Sequence, residues 1–273
     1  MRKLDRLVWT AGMSFVAEGV RIGVRVNDPS LLPEIAARLP VGARPLPARR
    51  VEYLYSIVAP RPGARAGVRP FHLMYVDSAR VVRTTERSEL LAGVERYFEE
   101  TMMVGAPRRV FLHAGVVGWR GRAILLPGVS HSGKSTLVSE LVRAGATYYS
   151  DEYALLDRQG RVHPYARKLR LRLDGDADVR DVPPEELGKI GRRPLPVALV
   201  ALLRYREDAR WRPRAVKPAR AVLDLLMNAP TARVNPSSVL AALQPLARGA
   251  RVVAGVRGEA REVVPELLRA ATG

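Results

Sequence analysis

The chain has 273 residues, of which 47% are hydrophobic and 26% are charged. These proportions are typical of a folded globular protein and exclude extensive disorder, and the length leaves room for one large domain or two modest ones. The sequence has no cysteine, which excludes disulfides, thiolate catalysis and zinc sites built from cysteine.

The formal net charge of +18 is the extreme feature of the composition. Such an excess can mark a surface for nucleic acid or anionic membrane, and an acidic substrate or partner is equally compatible with it. The excess is mostly arginine, spread from Arg2 to Arg269, and no basic cluster is interleaved with aromatic residues for stacking on bases. The distribution therefore disfavours nucleic acid as a partner.

The first twenty residues begin basic, but Thr10, Ser14 and Glu18 interrupt the apolar stretch that a signal peptide would need. No later run reaches the roughly 20 apolar residues of a membrane helix. We therefore expect a cytoplasmic protein without a membrane partner.

The first third of the chain, residues 1–106, predicts a small α+β module without recognisable chemistry. Apolar and polar residues alternate over 20–26, as in a strand with one buried face. Asp28 as N-cap and Pro29 after it predict a helix over 30–39. Further elements are strands over 51–58, 71–76 and 80–84 and a helix over 88–103.

Residues 107–273 predict an α/β domain. The run from Val197 to Leu203 is apolar throughout, which is typical of a strand buried on both faces. The other predicted elements are strands over 110–117, 123–126, 148–149, 153–156 and 161–163 and helices over 134–144, 219–227, 238–246 and 259–270.

A phosphate-loop motif stands between the strand predicted at 123–126 and the helix predicted at 134–144. The run from Gly128 to Ser135, GVSHSGKS, matches G-x-x-x-x-G-K-[ST] in full. Its glycines let backbone N–H groups reach phosphate oxygens, and the helix N-terminus favours negative charge. The motif predicts binding of ATP with Mg²⁺, Lys134 holding the β- and γ-phosphates and Ser135 the ion. The predicted nucleotide contacts are Gly128, Ser130, Ser132, Gly133, Lys134, Ser135 and Thr136.

An acidic pair, Asp151 and Glu152, follows the next predicted strand, 151 − 134 = 17 positions after Lys134. At that strand end the pair should lie on the same sheet edge as the loop, where one carboxylate can bind magnesium and the other accept a proton from an attacking hydroxyl. A solvated acidic pair at a strand end is the alternative. His113, in the strand before the loop, is by itself compatible with a core residue or with a site residue.

These residues resemble the kinase domain of bacterial HPr kinase/phosphorylase over roughly residues 110–227. The matching features are LHAGV around His113, the phosphate loop, the acidic pair, and VKPAR at 216–220. The resemblance implies a fold related to phosphoenolpyruvate carboxykinase, with a mixed sheet, and phosphoryl transfer to a hydroxyl, usually serine. Such enzymes form oligomers, so a homo-oligomer is a further expectation.

The resemblance also implies roles for five residues. Asp151 is the general base, Glu152 and Ser135 are magnesium ligands, His113 orients or charge-balances the base, and Arg220 clamps phosphate. The sequence departs from the family where Glu152 replaces a second Asp and Ala219 replaces a Gly. The segment associated with engaging HPr is also missing, so HPr is not the expected substrate.

The sequence thus predicts an ATP- and Mg²⁺-dependent kinase that phosphorylates a serine-type hydroxyl of a peptide, protein or small molecule. One alternative is a regulatory or assembly protein that binds nucleotide without transferring phosphate. Another is a nucleic-acid-dependent NTPase, which is disfavoured because the strand at 197–203 leads into Arg204-Tyr205-Arg206 and not into an acidic ligand. A calcium-loop spacing (Asp174, Asp176, Asp178 and Glu185) is rejected because Val179 replaces the required Gly.

Overall fold

The structure is a computed structural model, and it describes residues 3–47, 50–60, 69–128, 132–172 and 179–272. The chain divides into two compact units, residues 1–107 and 108–273. Each unit has its own mixed β-sheet with helices, so the chain is an α/β protein. In the described residues no helix is long and apolar enough to cross a membrane.

The first unit contains a six-stranded sheet and two helices. Its elements are β1 (Ala11–Ala17), β2 (Val20–Val26), α1 (Leu32–Ala36), β3 (Arg44–Pro45), β4 (Tyr53–Val58), β5 (His72–Val76), β6 (Ala79–Thr84) and α2 (Arg87–Gly105). The strand order is β3-β1-β2-β4-β5-β6, in which β2 and β4 are parallel and the other neighbours antiparallel.

The alternation predicted for residues 20–26 is confirmed by β2, whose apolar side chains enter the core. The helix predicted over 30–39 is shorter. Asp28 caps the backbone N–H of Ser30, but the following residues form one 3-10 turn before α1. The core of the unit joins α2 to the sheet through edge-to-face contacts of Phe98 with Phe15 and Tyr55.

The second unit contains ten strands and five helices in its described residues. They are β7 (Val110–Trp119), β8 (Arg122–Pro127), α3 (Lys134–Arg143), β9 (Thr147–Ser150), β10 (Tyr153–Leu156), β11 (Val162–His163), β12 (Leu169–Arg172), β13 (Val179–Val182), α4 (Pro184–Leu187), β14 (Val197–Tyr205), β15 (Arg214–Ala215), α5 (Pro218–Leu226), α6 (Pro236–Gly249), β16 (Arg251–Arg257) and α7 (Ala260–Ala270). Of the rejected calcium spacing, Asp174, Asp176 and Asp178 lie outside the described residues, and Glu185 lies in α4.

The main sheet of this unit has the order β11-β10-β7-β8-β14-β16-β15, with β9 also paired to β7. The central strands β8, β14 and β16 are parallel, and the remaining pairs are antiparallel. Helices cover both faces, since Leu125 and Val200 pack with α5 and α6 whereas Ile124 and Leu199 pack with α3 and α7. The prediction that residues 197–203 form a doubly buried strand is confirmed for Val197–Ala201.

Candidate active site

The candidate site lies where the parallel strands of the second unit end. β8 ends at Pro127, directly before Gly128. Because β7 is antiparallel to both β8 and β9, the strand β9 runs in the direction of β8 and delivers the acidic pair to the same edge. The carbonyl of His113 accepts from the N–H of Gly128 at 3.2 Å, and the carbonyl of Glu152 accepts from that of Ala114 at 3.1 Å. Strand topology therefore brings the loop, the acidic pair and His113 together.

Two glycines flank the phosphate loop at positions where a side chain would not fit. Gly133 has φ +77°, and a Cβ there would lie 2.6 Å from Nη2 of Arg257. A Cβ on Gly128 would lie 2.8 Å from Oγ of Ser132. The positive φ of Gly133 therefore favours glycine there, and a side chain at either position would displace the neighbouring side chain. Ser130, a predicted nucleotide contact, lies outside the described residues.

Helix α3 begins directly after Gly133, and its first turn carries Lys134, Ser135 and the exposed Thr136. The first internal hydrogen bond of this turn runs from the N–H of Leu137 to the carbonyl of Gly133 at 3.2 Å. The N–H groups of Lys134, Ser135 and Thr136 are therefore not used by the ladder of the helix. Together with the helix dipole they form an end that favours an anion.

Asp151 is a buried carboxylate with a separate donor for each oxygen. It is 7% exposed. The hydroxyl of Ser135 donates to Oδ2 at 2.7 Å, and the hydroxyl of Tyr148 donates to Oδ1 at 3.0 Å. Burial and the neighbouring Asp151 raise the pKa of Tyr148, so this phenol keeps its proton and remains a donor. These two hydrogen bonds fix the carboxylate beside the start of α3.

Glu152 has a different environment although it is the next residue. Its side chain is 46% exposed, and its carboxylate accepts a hydrogen bond from Nη1 of Arg167 at 3.0 Å. Asp151 therefore faces the buried end of α3, whereas Glu152 forms an ion pair nearer the solvent. The two carboxylates cannot be regarded as equivalent.

The ammonium of Lys134 lies among these charges. Burial lowers its pKa, while the charges of Glu152 and Asp151 act in the opposite direction. The pKa of His113 is lowered by burial and by the charge of Lys134, and a hydrogen bond with the backbone of Glu152 opposes that shift. Its ring lies 4.7 Å from that of Tyr153. His113 is therefore neutral at pH 7, because its pKa is moved below 6.5.

Arg257, at the end of β16, is a site residue that the sequence analysis missed. It is 4% exposed, and its guanidinium donates to the carbonyls of Gly258 at 2.9 Å and Gly133 at 3.2 Å. In the described part of the chain its Nε has no hydrogen-bond partner. The available signal was the apolar run 252–256 ending in an arginine, which is typical of a buried strand that delivers a charged side chain to its carboxyl end.

Arg220, the predicted phosphate clamp, lies in the first turn of α5 and is exposed. Its Nε is 3.0 Å from Oδ1 of Asp224, one turn further along the helix. Both residues line a cavity of about 1180 Å³ that also includes Pro127, the last residue before the loop. The structure thus places Arg220 on a cavity that borders the loop.

The residues present fit a magnesium–nucleotide complex. Mg²⁺ prefers oxygen ligands and is usually held by one or two carboxylates together with phosphate oxygens. The hydroxyl of Ser135 and the carboxylates of Asp151 and Glu152 supply oxygens of this kind next to the helix end. Among the described residues no group of three or more His, Asp or Glu side chains is gathered as in an all-protein metal cage.

The fold and the site define an α/β protein with a mixed sheet, in which helix α3 starts at the sheet edge where β8 ends. No protein-family model matches the chain. A comparison with curated protein sequences gives no match. Among solved structures, the Hpr(Ser) kinase/phosphatase from Coxiella burnetii matches with 15% identity and a TM-score of 0.35, covering 58% of this chain and 93% of that chain. A TM-score below 0.5 does not establish a shared fold, so functional assignment depends on the site itself.

Proposed function

We propose that the chain is an ATP- and Mg²⁺-dependent kinase that transfers a phosphoryl group to a serine-type hydroxyl of a peptide, protein or small molecule. The observation that carries this proposal is the hydrogen bond between Ser135 and the buried Asp151 at the N-terminus of α3. A hydroxyl, a carboxylate, a lysine and a helix end meet there, and phosphoryl transfer requires little more than positioning and electrostatic stabilisation by such groups.

Lys134 and the N–H groups of the first turn of α3 hold the phosphates. The lowered pKa of Lys134 reflects a partly desolvated ammonium, whose attraction for phosphate oxygens is less screened than at the surface. Bound Mg²⁺, held by Ser135 and the acidic pair, would neutralise charge on the phosphates. Each of these groups stabilises negative charge on the transferred phosphoryl group.

The two carboxylates have different roles in this proposal. Asp151 receives the proton of the acceptor hydroxyl, or it faces the metal together with Ser135 and leaves proton transfer to Glu152. The hydrogen bond from Ser135 supports the second arrangement, because a hydroxyl that binds a cation through its oxygen directs its proton to a neighbouring carboxylate. The ion pair of Glu152 with Arg167 must open if Glu152 accepts the proton.

His113 is proposed as a positioning residue. As a neutral imidazole it does not add positive charge beside Lys134, and its hydrogen bond with the backbone of Glu152 restrains the acidic pair. Of the two roles suggested for this histidine, orientation is therefore favoured over charge balance.

The test is mass spectrometry of the protein with Mg²⁺–ATP and a panel of free serine, serine-terminated peptides and serine-containing proteins. One acceptor should gain a single phosphate, and Lys134→Ala and Asp151→Asn should abolish the gain. Retention of full transfer by Asp151→Asn would contradict the proposed role of the site.

A nucleotide-binding regulatory or assembly protein is the second candidate. The observation in its favour is the ion pair that binds the carboxylate of Glu152 to Arg167. If that pair persists in the nucleotide complex, only Asp151 remains for chemistry. Tight nucleotide binding without modification of any acceptor in the panel would favour this candidate.

A further inference from the structure

A cationic groove adjoins the phosphate loop in the second unit. Among the described residues, the cavity of about 1180 Å³ is lined by seven basic side chains and one carboxylate, that of Asp224, a balance of 7 − 1 = 6 positive charges. Among these basic residues Arg220 alone has an ion pair within the described part of the chain. Like charges gathered in one groove repel each other and attract an anion.

Three of these arginines come from the segment that leads into β15. Arg210, Arg212 and Arg214 line the groove, whereas Trp211 and Pro213 line a separate small cavity. The chain here alternates sides with a period of two, as in a strand. The segment therefore presents a row of guanidinium groups to the groove.

The end of β14 repeats this arrangement on the other side of the groove. Arg204 and Arg206 line the groove, while the hydroxyl of Tyr205, between them, donates to Glu259 at 2.8 Å. Lys217 and Arg220, from the start of α5, complete the seven. The positive charge of the groove therefore comes from three separate parts of the chain, at β14, β15 and α5, and not from a single exposed loop.

The floor of the groove is apolar and includes Leu202, Leu203, Val216 and Val256. None of the described residues that line the groove is aromatic. A single-stranded nucleic acid is bound through stacking on aromatic side chains as well as through charge. The described groove residues offer charge but no aromatic side chain for stacking. An extended peptide with acidic and apolar side chains matches both the charges and the floor.

The groove meets the site through Pro127, which directly precedes Gly128. It also includes Asn228, whose carbonyl accepts from the N–H of His113 at 2.7 Å. A chain lying in the groove can thus present a side chain to the phosphate loop.

We propose that the groove binds an extended acidic segment of a peptide acceptor and so positions a nearby serine for phosphorylation. The role as acceptor rests on the proposed function, whereas binding of the acidic segment does not. Alternate residues of an extended peptide are about 6.6–6.8 Å apart. The row 210–212–214, whose side chains share the groove side, therefore matches carboxylates at alternate positions of such a peptide.

The test measures binding of a fluorescein-labelled dodecapeptide by anisotropy, using the full-length protein. The peptide has one serine and alternating Asp and Ala, and a matched peptide has Asn in place of Asp. The groove variant is Arg210→Gln/Arg212→Gln/Arg214→Gln. Its control is Arg158→Gln/Arg192→Gln/Arg248→Gln, which removes the same charge from exposed positions that are not among the groove-lining residues.

We expect the groove variant to weaken binding of the Asp peptide by at least about tenfold and the control by less than about twofold. The Asn peptide should bind weakly to the wild type and to both triple variants. Raising the salt concentration should weaken binding of the Asp peptide only. Equal binding of both peptides, or equal effects of both triple variants, would overturn the proposal.

Three parallel measurements separate this proposal from nucleotide binding, from nucleic-acid binding and from the kinase activity. Affinity for a fluorescent ATP analogue with Mg²⁺ should be the same in the groove variant and the wild type, and a parallel loss would assign the groove to the nucleotide and overturn the proposal. Tighter groove-dependent binding of a single-stranded oligouridylate would overturn it in favour of nucleic acid. Groove-dependent binding of the Asp peptide without phosphorylation would support the proposed groove and contradict the proposed kinase activity. Equal phosphorylation of the Asp and Asn peptides would support the kinase activity and contradict the role of the groove.

Discussion

The hydroxyl of Ser135 donates a 2.7 Å hydrogen bond to Oδ2 of Asp151 and so joins the first turn of α3 to the end of β9. Asp151 is 7% exposed, and a buried carboxylate is stabilised by donors that point at it. This contact makes the acidic pair part of the same site as the loop lysine, and the first two predictions depend on it.

Asp151→Asn should lower phosphoryl transfer strongly in either role, as magnesium ligand or as proton acceptor, and a general base contributes about 10²–10⁴-fold. Glu152→Gln should have an effect of that size if Glu152 accepts the proton, and a smaller one if Glu152, whose side chain is 46% exposed, stays paired with Arg167. Initial rates at varied Mg²⁺ assign the two roles. If Asp151 faces the ion, Asp151→Asn raises the Mg²⁺ concentration needed for half-maximal rate. A rise of this Mg²⁺ concentration only in Glu152→Gln would instead assign the ion to Glu152 and proton transfer to Asp151.

Tyr148→Phe should lower the turnover of the acceptor several-fold and leave the affinity for nucleotide nearly unchanged. The tyrosine hydroxyl donates to Oδ1 of Asp151 at 3.0 Å and also lies 3.2 Å from the carbonyl of Arg167. Without this donor the carboxylate keeps the hydrogen bond from Ser135 and is less restrained. Tyr149→Phe is the matched control, because that hydroxyl donates to the carbonyl of Arg193. Equal rates for the two variants would argue against a positioning role for Tyr148.

The sequence predicted those elements whose pattern is local. Alternation marked β2, and a continuous apolar run marked β14, which β8 and β16 flank in the sheet. Strand β16 was not predicted, since it includes Ala254 and Gly255 and lies between two helical patterns. The position of β16 in the sheet depends on its parallel pairing with β14, and the seven residues of β16 do not by themselves indicate that pairing.

The same distinction applies to the site. The approach of Asp151 to the loop was predicted because strand ends share an edge, a rule that needs only the order of the elements. The contact of Arg257 with Gly133 spans 124 positions and needs the path of a strand that the sequence did not reveal. The cationic groove was also hidden, because its arginines share one side only once the period of the 210–214 segment is known. Its charge appeared in the sequence only as a global excess.

Arg257→Met should weaken nucleotide binding by about tenfold or more. The guanidinium holds the carbonyl of Gly133, and a hydrogen bond to a charged group contributes about 1.5–3 kcal/mol, where 1.4 kcal/mol corresponds to tenfold. Stability should change less, because a buried charge whose Nε has no partner among the described residues is costly to the fold. Titration with a fluorescent ATP analogue and a denaturation curve measure the two effects. If Arg257→Met bound nucleotide with wild-type affinity, the hydrogen bond from Arg257 to Gly133 would not contribute to nucleotide binding.

The second unit should lose stability on acidification in part through His113. Burial and Lys134 lower the pKa of His113 in the folded state below the unfolded value of about 6.5. As the pH falls below that value the unfolded chain binds the proton first, so the free energy of unfolding decreases until the pH passes the folded pKa. His113→Gln should remove this part of the pH dependence.

The measurement is urea denaturation between pH 7.5 and 5 in a Trp9→Phe background. The remaining tryptophans, Trp119 and Trp211, then report on the second unit alone. His72→Asn is the control, because the pKa of His72 is also lowered by burial but this residue belongs to the first unit. An unchanged pH profile in His113→Gln would show that the imidazole is not destabilised by protonation.

Gly160→Ala should destabilise the second unit more than Gly121→Ala. Both glycines have positive φ, +73° and +78°, so alanine at either position costs about 1–2 kcal/mol of backbone strain. A Cβ on Gly160 would also lie 2.9 Å from the backbone nitrogen of Leu246, whereas none of the described atoms lies within 4 Å of one on Gly121. Backbone of α6 must shift in the first case only, which should add about 1–3 kcal/mol. Denaturant midpoints of the two variants measure this difference directly. Equal midpoints would mean that the backbone of α6 shifts without loss of stability.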